Sequence, residues 1–575
     1  MKTPVQSVFD AAGQACYCRQ QPLRRFFRPA PFFFCEKIPM VKTQTGSLAR
    51  SAAVVAVAVM CSRILGLVRE TVFAGLFGAS NDYDAFVVAF RIPNLLRDLF
   101  GEGALSAAFV TVFSLYDSQR QPEEARRLAC NVLTFFAIAL SLISALGMLC
   151  SDGVVSLLAP DFAATPGKSA LTVTLTKVML PFLVFISLSA VVMGMLNTKG
   201  KFFVPAIASS FFNLGSIIGG VSLAWLLPRY GQPAILGMAI GTLFGGLLQL
   251  CIQLPTLYGT GFRYRPLVDL TDPGLRHILR LMIPATIGLS ATQLNIFINT
   301  TFATSCGEGA VSWLNYAFRL MQLPIGLFGV ALSIAMMPML SKQAAAKDLA
   351  AMRQTLVSAL ILVLALTLPA TAGLILLNRP IIALIFQHGA FTAADTTATA
   401  TALSLYAVGL FAYASNKVLV PAFYAIDRTR YPVIASFFAV GLNLVFIQLT
   451  IDRFHYLAIA LSTSLTMLLN CLLLFSLLVW QMGRLPWGRL FGGAAKIAAA
   501  TGVMALFLWG CRYFFGDYLA FGSPHGLSHG LPLLGLSLFF SIGGAALLYG
   551  GMLFALRLHE AIELWAAVVK RFRKK

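Results

Sequence analysis

The chain has 575 residues, of which 58% are hydrophobic and only 11% are charged. Soluble domains carry about 25% charged residues, and the mean hydropathy of this chain is +0.80. The composition therefore excludes a string of soluble domains and indicates a protein that crosses a membrane many times. The formal charge of +21 at pH 7 is explained by basic loops that orient the chain in a membrane, and it does not indicate a nucleic-acid partner.

Apolar runs that end at polar residues or at Pro and Gly turns predict the membrane-spanning segments. A bilayer core requires about 20 apolar residues per helix. We predict an all-α polytopic membrane protein with about fourteen transmembrane helices. The predicted spans are residues 50 to 77, 83 to 116, 127 to 151, 171 to 197, 203 to 228, 233 to 258, 274 to 304, 309 to 340, 350 to 377, 393 to 425, 431 to 451, 455 to 482, 488 to 514 and 531 to 556.

Basic residues are concentrated in alternate connections between these spans. Lys and Arg are enriched in short cytoplasmic loops. One set of connections is rich in them, as at Arg127, Arg276 and Arg353. The other set holds only Lys168, Arg229, Arg379, Arg453 and Arg512. With an even number of spans and two basic termini, we predict that both ends lie in the cytoplasm.

Two pairs of segments recur at a shift of about 228 residues, which indicates an internal duplication. AFRIPNLLRDLFG, from Ala89 to Gly101, aligns with AFRLMQLPIGLFG, from Ala317 to Gly329. PAIASSF, from Pro205 to Phe211, aligns with PVIASFF, from Pro432 to Phe438. We predict two pseudo-symmetric six-helix lobes plus two C-terminal helices. The predicted divisions are 1–47 for a basic cytoplasmic extension (unless translation begins at Met40), 48–260 for the first lobe, 261–483 for the second, and 484–575 for the last two helices and a basic tail.

Charged residues within the predicted spans are the sharpest functional signal. A charge at bilayer depth is costly unless it meets a partner or a wet cavity. The charged positions are Arg63, Arg69 and Glu70 in span 1, Asp84, Arg91, Arg97, Asp98 and Glu102 in span 2, Lys177 in span 4, Arg319 in span 8 and Lys417 in span 10. Cations outnumber carboxylates, so an anion is the indicated ligand, and the forked guanidinium favours a phosphate or pyrophosphate. The alternative is that these arginines reach an interface or pair with carboxylates to join helices.

Three motifs resemble the MurJ (MviN) family of lipid II flippases, within the superfamily of multidrug, oligosaccharidyl-lipid and polysaccharide exporters. They are SRILGLVRE with DAFVVAFRIPNLLRDLFGEGALSAAFV, VSWLNYAFRLMQLPIGLFGVALS, and NKVLVPAFYA. The resemblance implies a fold of fourteen helices in two lobes and a central cationic cavity for the pyrophosphate and sugar-peptide head of lipid II. The chain departs from the family at Asp98, where many members have Arg, at Phe318, where some have Asp, and at Gln322, where some have Glu.

The resemblance also implies roles for individual residues. Those that match family residues tied to function are Ser62, Arg63, Arg69, Asp84, Arg97, Ser312 and Arg319. We predict that Arg63, Arg69 and Arg319 bind the pyrophosphate with help from Arg97, and that Ser62 and Ser312 contribute to substrate binding. Glu70, which stands where the family often has Asp, is predicted to orient the arginines or gate the outer side, together with Asp84 and Glu102.

The sequence thus predicts a flippase that carries lipid II from the cytoplasmic to the periplasmic leaflet by alternating access. No catalytic residue, metal site or resident cofactor is predicted, and the membrane potential or a monovalent cation would drive the cycle. The predicted partners are lipid II and membrane lipids, with cell-wall synthesis proteins as further candidates. One alternative is a cation-coupled drug or oligosaccharide-lipid exporter of the same superfamily. Another is a membrane-embedded glycosyltransferase, which the short external loops disfavour.

Overall fold

A computed structural model of the chain describes residues 45–101, 103–118, 122–514 and 527–563. Twelve helices in these ranges are long and apolar enough to cross a membrane, or thirteen if one bent pair counts as a single span. The helices are α1 Thr45–Phe77, α2 Asn81–Ser118, α3 Pro122–Leu149, α4 Lys168–Thr198, α5 Phe203–Tyr230, α6 Ala234–Gly259, α7 Pro273–Thr304, α8 Ala310–Ala345, α9 Leu349–Leu376, α10 Ala393–Val408 with Leu410–Ala425, α11 Arg430–Phe454, α12 Tyr456–Met482, α13 Trp487–Phe514 and α14 Pro532–Ala555.

These helices match the predicted spans in chain order, so the prediction of an all-helical polytopic membrane protein is confirmed. The thirteen apolar spans run from α2 to α14, and the first predicted span corresponds to α1, a further helix of 33 residues. Most of the predicted N-terminal extension and the end of the basic tail lie outside the described residues.

Helix α10 is bent, whereas the sequence predicted one continuous span. Its two parts meet at Gly409 with an angle of 42°. A Cβ at Gly409 would lie 2.9 Å from the Cα of Ser464, so helix α12 approaches the backbone at the bend. The Ser464 hydroxyl donates to the carbonyl oxygens of Leu405 (2.7 Å) and Tyr406 (3.2 Å). The helical hydrogen bonds of these carbonyls are disturbed at the break, and the Ser464 hydroxyl supplies a donor in their place. A span can bend within a membrane when its freed backbone groups are satisfied in this way.

A π-helical segment interrupts both α2 and α8. The first covers Arg97–Gly101 and the second Ile325–Val330. The two segments lie at the same 228-residue shift as the sequence repeat, and each follows a helical proline, Pro93 or Pro324. Local structure therefore repeats together with sequence. Such segments widen a helix by one residue and are frequent at functional sites.

The connection between the two predicted lobes is fixed to helix α3. The Asn131 amide donates to the carbonyl oxygen of Asp269 (2.8 Å) and accepts from its backbone N–H (2.8 Å). Hydrogen bonds from the Thr271 hydroxyl and backbone lower the pKa of the Asp269 carboxyl below its ordinary value. The Asp272 side chain caps the start of α7 through Gly274. The connection is therefore a structured element that sets where α7 enters the bundle.

Helices α5 and α6 pack with their backbones in contact through small residues spaced four apart. A Cβ at Gly241 would lie 2.3 Å from the backbone nitrogen of Gly220. We expect Gly241→Ala to push the helices apart and to lower the free energy of unfolding by about 1–3 kcal/mol, the usual cost of overpacking. Thermal unfolding of the purified protein in detergent measures this loss. Gly441→Ala is the control, because nothing lies within 4 Å of a Cβ at that helical position.

Candidate binding cavity

A cavity of about 730 Å³ lies between the helices of residues 50–260, here called the first half, and those of residues 261–483, the second half. The cationic side chains that line it are Arg63, Arg69, Arg91, Arg97, Arg319 and Lys417. Glu70 and Asp98 are the only carboxylates among its described lining residues. The cavity is therefore cationic, in agreement with the charge pattern of spans 1, 2 and 8.

Glu70 joins two arginines from opposite halves of the bundle. Its Oε1 accepts from Nη2 of Arg69 at 2.6 Å and from Nη2 of Arg319 at 3.0 Å. Its Oε2 accepts from the Tyr83 hydroxyl at 2.9 Å. Glu70 is 3% exposed, so these three bonds satisfy a carboxylate that is almost fully removed from water. The carboxylate fixes where both guanidinium groups meet the cavity.

The other cavity arginines differ in how they are paired. Arg97 binds Asp98 through Nε (3.0 Å) and Nη2 (2.7 Å). No ion pair joins Arg63 or Arg91 to a carboxylate within the part of the chain that the structure describes. Arg91, which aligns with Arg319 in the repeat, makes one long bond of 3.4 Å to the Asn315 side chain. Arg63 and Arg91 thus leave positive charge available to a ligand.

The Arg63 guanidinium lies against a glycine of the opposite half. A Cβ at Gly326 would be only 2.5 Å from Cζ of Arg63. Gly326 belongs to the π-helical segment of α8. The absence of a side chain there lets the Arg63 group, carried by α1, reach across to the second half.

One end of the cavity is closed by bonds between α2 and α8. Asp84 is fully buried, and its carboxylate accepts from the backbone N–H groups of Gly309 (2.9 Å) and Ser312 (3.0 Å) and from the Ser312 hydroxyl (2.5 Å). In the opposite direction, the Glu308 carboxylate accepts from the backbone N–H of Asn81 (3.2 Å). Each half therefore supplies a carboxylate to a helix N-terminus of the other, where unpaired N–H groups favour negative charge. This end is called the closed end below.

Lys168, at the start of α4, neutralises Asp84 within the first half. Its Nζ lies 3.0 Å from Oδ2 of Asp84 and 2.7 Å from Oδ1 of Asn81. The ammonium also lies 4.1 Å from the centroid of the Phe162 ring. Lys168 is only 5% exposed and Asp84 is fully buried, so neither charge is solvated by water. The ion pair compensates for that lost solvation.

A second contact at the closed end joins α1 to the connection before α10. The backbone N–H of Ala390 donates to the Gly75 carbonyl (2.8 Å), and Nε2 of His388 lies 3.1 Å from the Thr71 carbonyl. The Tyr316 hydroxyl donates to the Gly78 carbonyl (3.1 Å). The two halves therefore touch through backbone groups as well as charges at this end.

The structure brings most predicted site residues together. Ser62, Arg63, Arg69, Glu70, Arg97 and Arg319 all line the cavity. Asp84 and Ser312 do not; they bond to each other at the closed end, so the predicted contact of Ser312 with substrate stays a prediction. Glu102 lies outside the described residues. Sequence analysis placed Lys168 only in an external loop, and only the need of buried Asp84 for a counter-charge could have indicated its role.

The chain is similar to known transporters in sequence and structure. The sequence model described as lipid II flippase MurJ matches residues 73–527. A probable lipid II flippase MurJ of Buchnera aphidicola is 36% identical over 72% of this chain and 80% of that protein. The lipid II flippase MurJ of Burkholderia cenocepacia is 37% identical over 72% of this chain and 81% of that protein.

Solved structures give the same result. A lipid II flippase MurJ in an inward closed conformation aligns with a TM-score of 0.70 at 27% identity, over 87% of this chain and 99% of that one. An inward-facing multidrug resistance MATE family transporter of the MOP superfamily aligns with a TM-score of 0.64 at 15% identity, over 75% of this chain and 98% of that one, and shares the fold. The fold and the cavity between its halves define a multi-pass membrane protein with the fold of known transporters. Within that class, the chain belongs to the lipid II flippase MurJ family.

Proposed function

We propose that the chain moves lipid II, a membrane-anchored diphosphate that carries a disaccharide and a peptide, between leaflets by alternating access. The observation that carries the proposal is the set of guanidinium groups from both halves around one cavity, with Arg63 and Arg91 unpaired by described carboxylates. Guanidinium groups meet diphosphate oxygens in bidentate fashion. Arg63, Arg69 and Arg319 would bind the diphosphate, Arg97 and Ser62 would assist, and Glu70 would hold Arg69 and Arg319 in position.

The basic connections indicate which side of the membrane the closed end faces. They lie at the end of the bundle opposite the closed end, and the positive-inside bias assigns them to the cytoplasm. The closed end then faces the periplasm of a bacterial inner membrane, with both termini cytoplasmic. Substrate would enter from the cytoplasmic leaflet and leave after the contacts of Asp84 with Gly309 and Ser312 open.

Transport of this kind breaks no bond in the substrate, so the chain would act as a transporter and not as an enzyme. The head group is anionic, and an inside-negative potential favours its outward movement by about 2.3 kcal/mol per charge per 100 mV. We propose that the membrane potential, or a monovalent cation that follows it, supplies the energy.

Replacing Arg319 tests the proposal directly. A hydrogen bond to a charged group contributes about 1.5–3 kcal/mol, so we expect Arg319→Ala to slow translocation by about tenfold or more. The measurement is the appearance of lipid II on the outer face of cells that lack other flippases. Arg453→Ala is the matched control, because Arg453 is an exposed arginine outside the cavity lining. Unchanged translocation at a normal protein level would contradict the proposal.

The drug or oligosaccharide exporter remains the second candidate, because MATE transporters share the fold. It predicts that loss of the chain changes drug resistance and leaves the cell wall intact. Swelling and lysis of depleted cells, with lipid II accumulating inside, favour the flippase.

A further inference from the structure

The two walls of the cavity differ in charge. The first half supplies the charged lining residues Arg63, Arg69, Glu70, Arg91, Arg97 and Asp98. The second half supplies only Arg319 and Lys417 with charge, and is otherwise neutral, with aromatic and amide groups such as Tyr413, Asn295 and Asn470. A diphosphate bound by the arginines satisfies the charged groups and leaves the neutral groups of the second wall without a partner.

An aromatic cluster forms the centre of the neutral wall. Phe318 of α8 meets Tyr406 edge-on with ring centroids 5.3 Å apart, and meets Tyr413 in the same manner at 6.2 Å. The tyrosines lie on either side of the α10 bend at Gly409. Both rings line the cavity. This aromatic cluster stands beside Arg319, the residue after Phe318.

Polar atoms on the same wall lack partners. Among the described residues, the hydroxyls of Tyr406 and Tyr413 form no hydrogen bond with the protein, although both residues line the cavity. Asn470, 8% exposed, also lines the cavity, and its Oδ1 has no hydrogen-bond partner. A buried acceptor without a donor costs free energy unless a ligand or water completes it.

We propose that Phe318, Tyr406, Tyr413 and Asn470 bind the uncharged saccharide of the head group while the arginines bind the diphosphate. Sugar rings present C–H faces that pack on aromatic rings, and hydroxyl and acetamido groups that bond to tyrosine hydroxyls and amide oxygens. This inference rests on the proposed function. It makes the aromatic cluster the part of the cavity that distinguishes the sugar-bearing lipid from its bare diphosphate carrier.

The test compares the binding of two probes by the purified full chain: lipid II and undecaprenyl diphosphate, which has the same anchor and diphosphate without sugar or peptide. We expect the wild type to bind lipid II more tightly. Tyr413→Ala is expected to weaken lipid II binding by about tenfold, the loss of one well-packed contact residue, while the affinity for undecaprenyl diphosphate stays the same. Arg319→Ala is expected to weaken both probes alike.

Phe475→Ala is the matched control, because this ring packs on Trp487 outside the cavity lining. Phe318→Leu keeps an apolar side chain and tests the aromatic cluster even if Tyr413→Ala fails to fold. The inference is overturned if neither variant changes the ratio of the two affinities, or if the wild type binds both probes equally. A different result would contradict the proposed function itself: the wild type would then bind neither lipid II nor undecaprenyl diphosphate more tightly than phosphatidylglycerol.

Discussion

Asp84→Ala is expected to abolish lipid II translocation and to lower the stability of the chain. The substitution removes the carboxylate that accepts from the N-terminal N–H groups of α8, a loss comparable to that of a helix cap, about 0.5–2 kcal/mol, and with it one of the contacts that join the two halves. It also leaves Lys168 buried without its carboxylate, and breaking such a pair costs about 3–5 kcal/mol. Translocation in cells and thermal unfolding in detergent measure the two effects separately.

Three matched variants separate the effect on gating from the effect on folding. Ser312→Ala removes one hydroxyl and keeps the backbone donors, so it should reduce translocation least. Asp84→Asn leaves Lys168 unpaired, and adding Lys168→Met should restore stability without restoring translocation. If Asp84→Ala translocates lipid II at the wild-type rate, the closed end has no role in the cycle.

The fold was largely predictable because a membrane-spanning helix requires a long apolar run, which the local amino-acid composition shows directly. Apolar runs predicted the long helices in order, and the recurrence around Arg91 and Arg319 indicated two related halves. The bend of α10 was not predictable, because nothing in the sequence beside Gly409 marks a break and this glycine resembles other glycines in membrane helices. What makes Gly409 a break is Ser464, more than fifty residues away, whose backbone approaches it.

The candidate site was predictable in its residues and not in their pairing. Arg63, Arg69 and Arg319 stand out because charge is rare in apolar helices. No local signal shows that Glu70 binds Arg319 or that Asp84 caps the helix that holds Ser312. The repeat indicates the contact between Asp84 and Ser312. These residues are 228 positions apart and therefore occupy corresponding positions in the two halves.

Glu70→Ala is expected to reduce translocation by about tenfold or more, although it makes the cavity more positive. If the cavity worked only by attracting an anion, the added positive charge would strengthen binding and preserve transport. In the structure, however, one carboxylate oxygen holds Arg69 at 2.6 Å and Arg319 at 3.0 Å, and the other holds Tyr83. Without it the two guanidinium groups repel each other and lose the geometry that a diphosphate requires.

Glu70→Asp is the control for this prediction, because it keeps the carboxylate and is the residue the family often has there. It should retain most of the activity, while Glu70→Gln, which keeps the size and loses the charge, should behave like Glu70→Ala. Lipid II translocation is measured at matched protein levels, together with the affinity for undecaprenyl diphosphate. Wild-type translocation by Glu70→Ala and Glu70→Gln would mean that net charge alone defines the site, and that the bridge between the halves is structural.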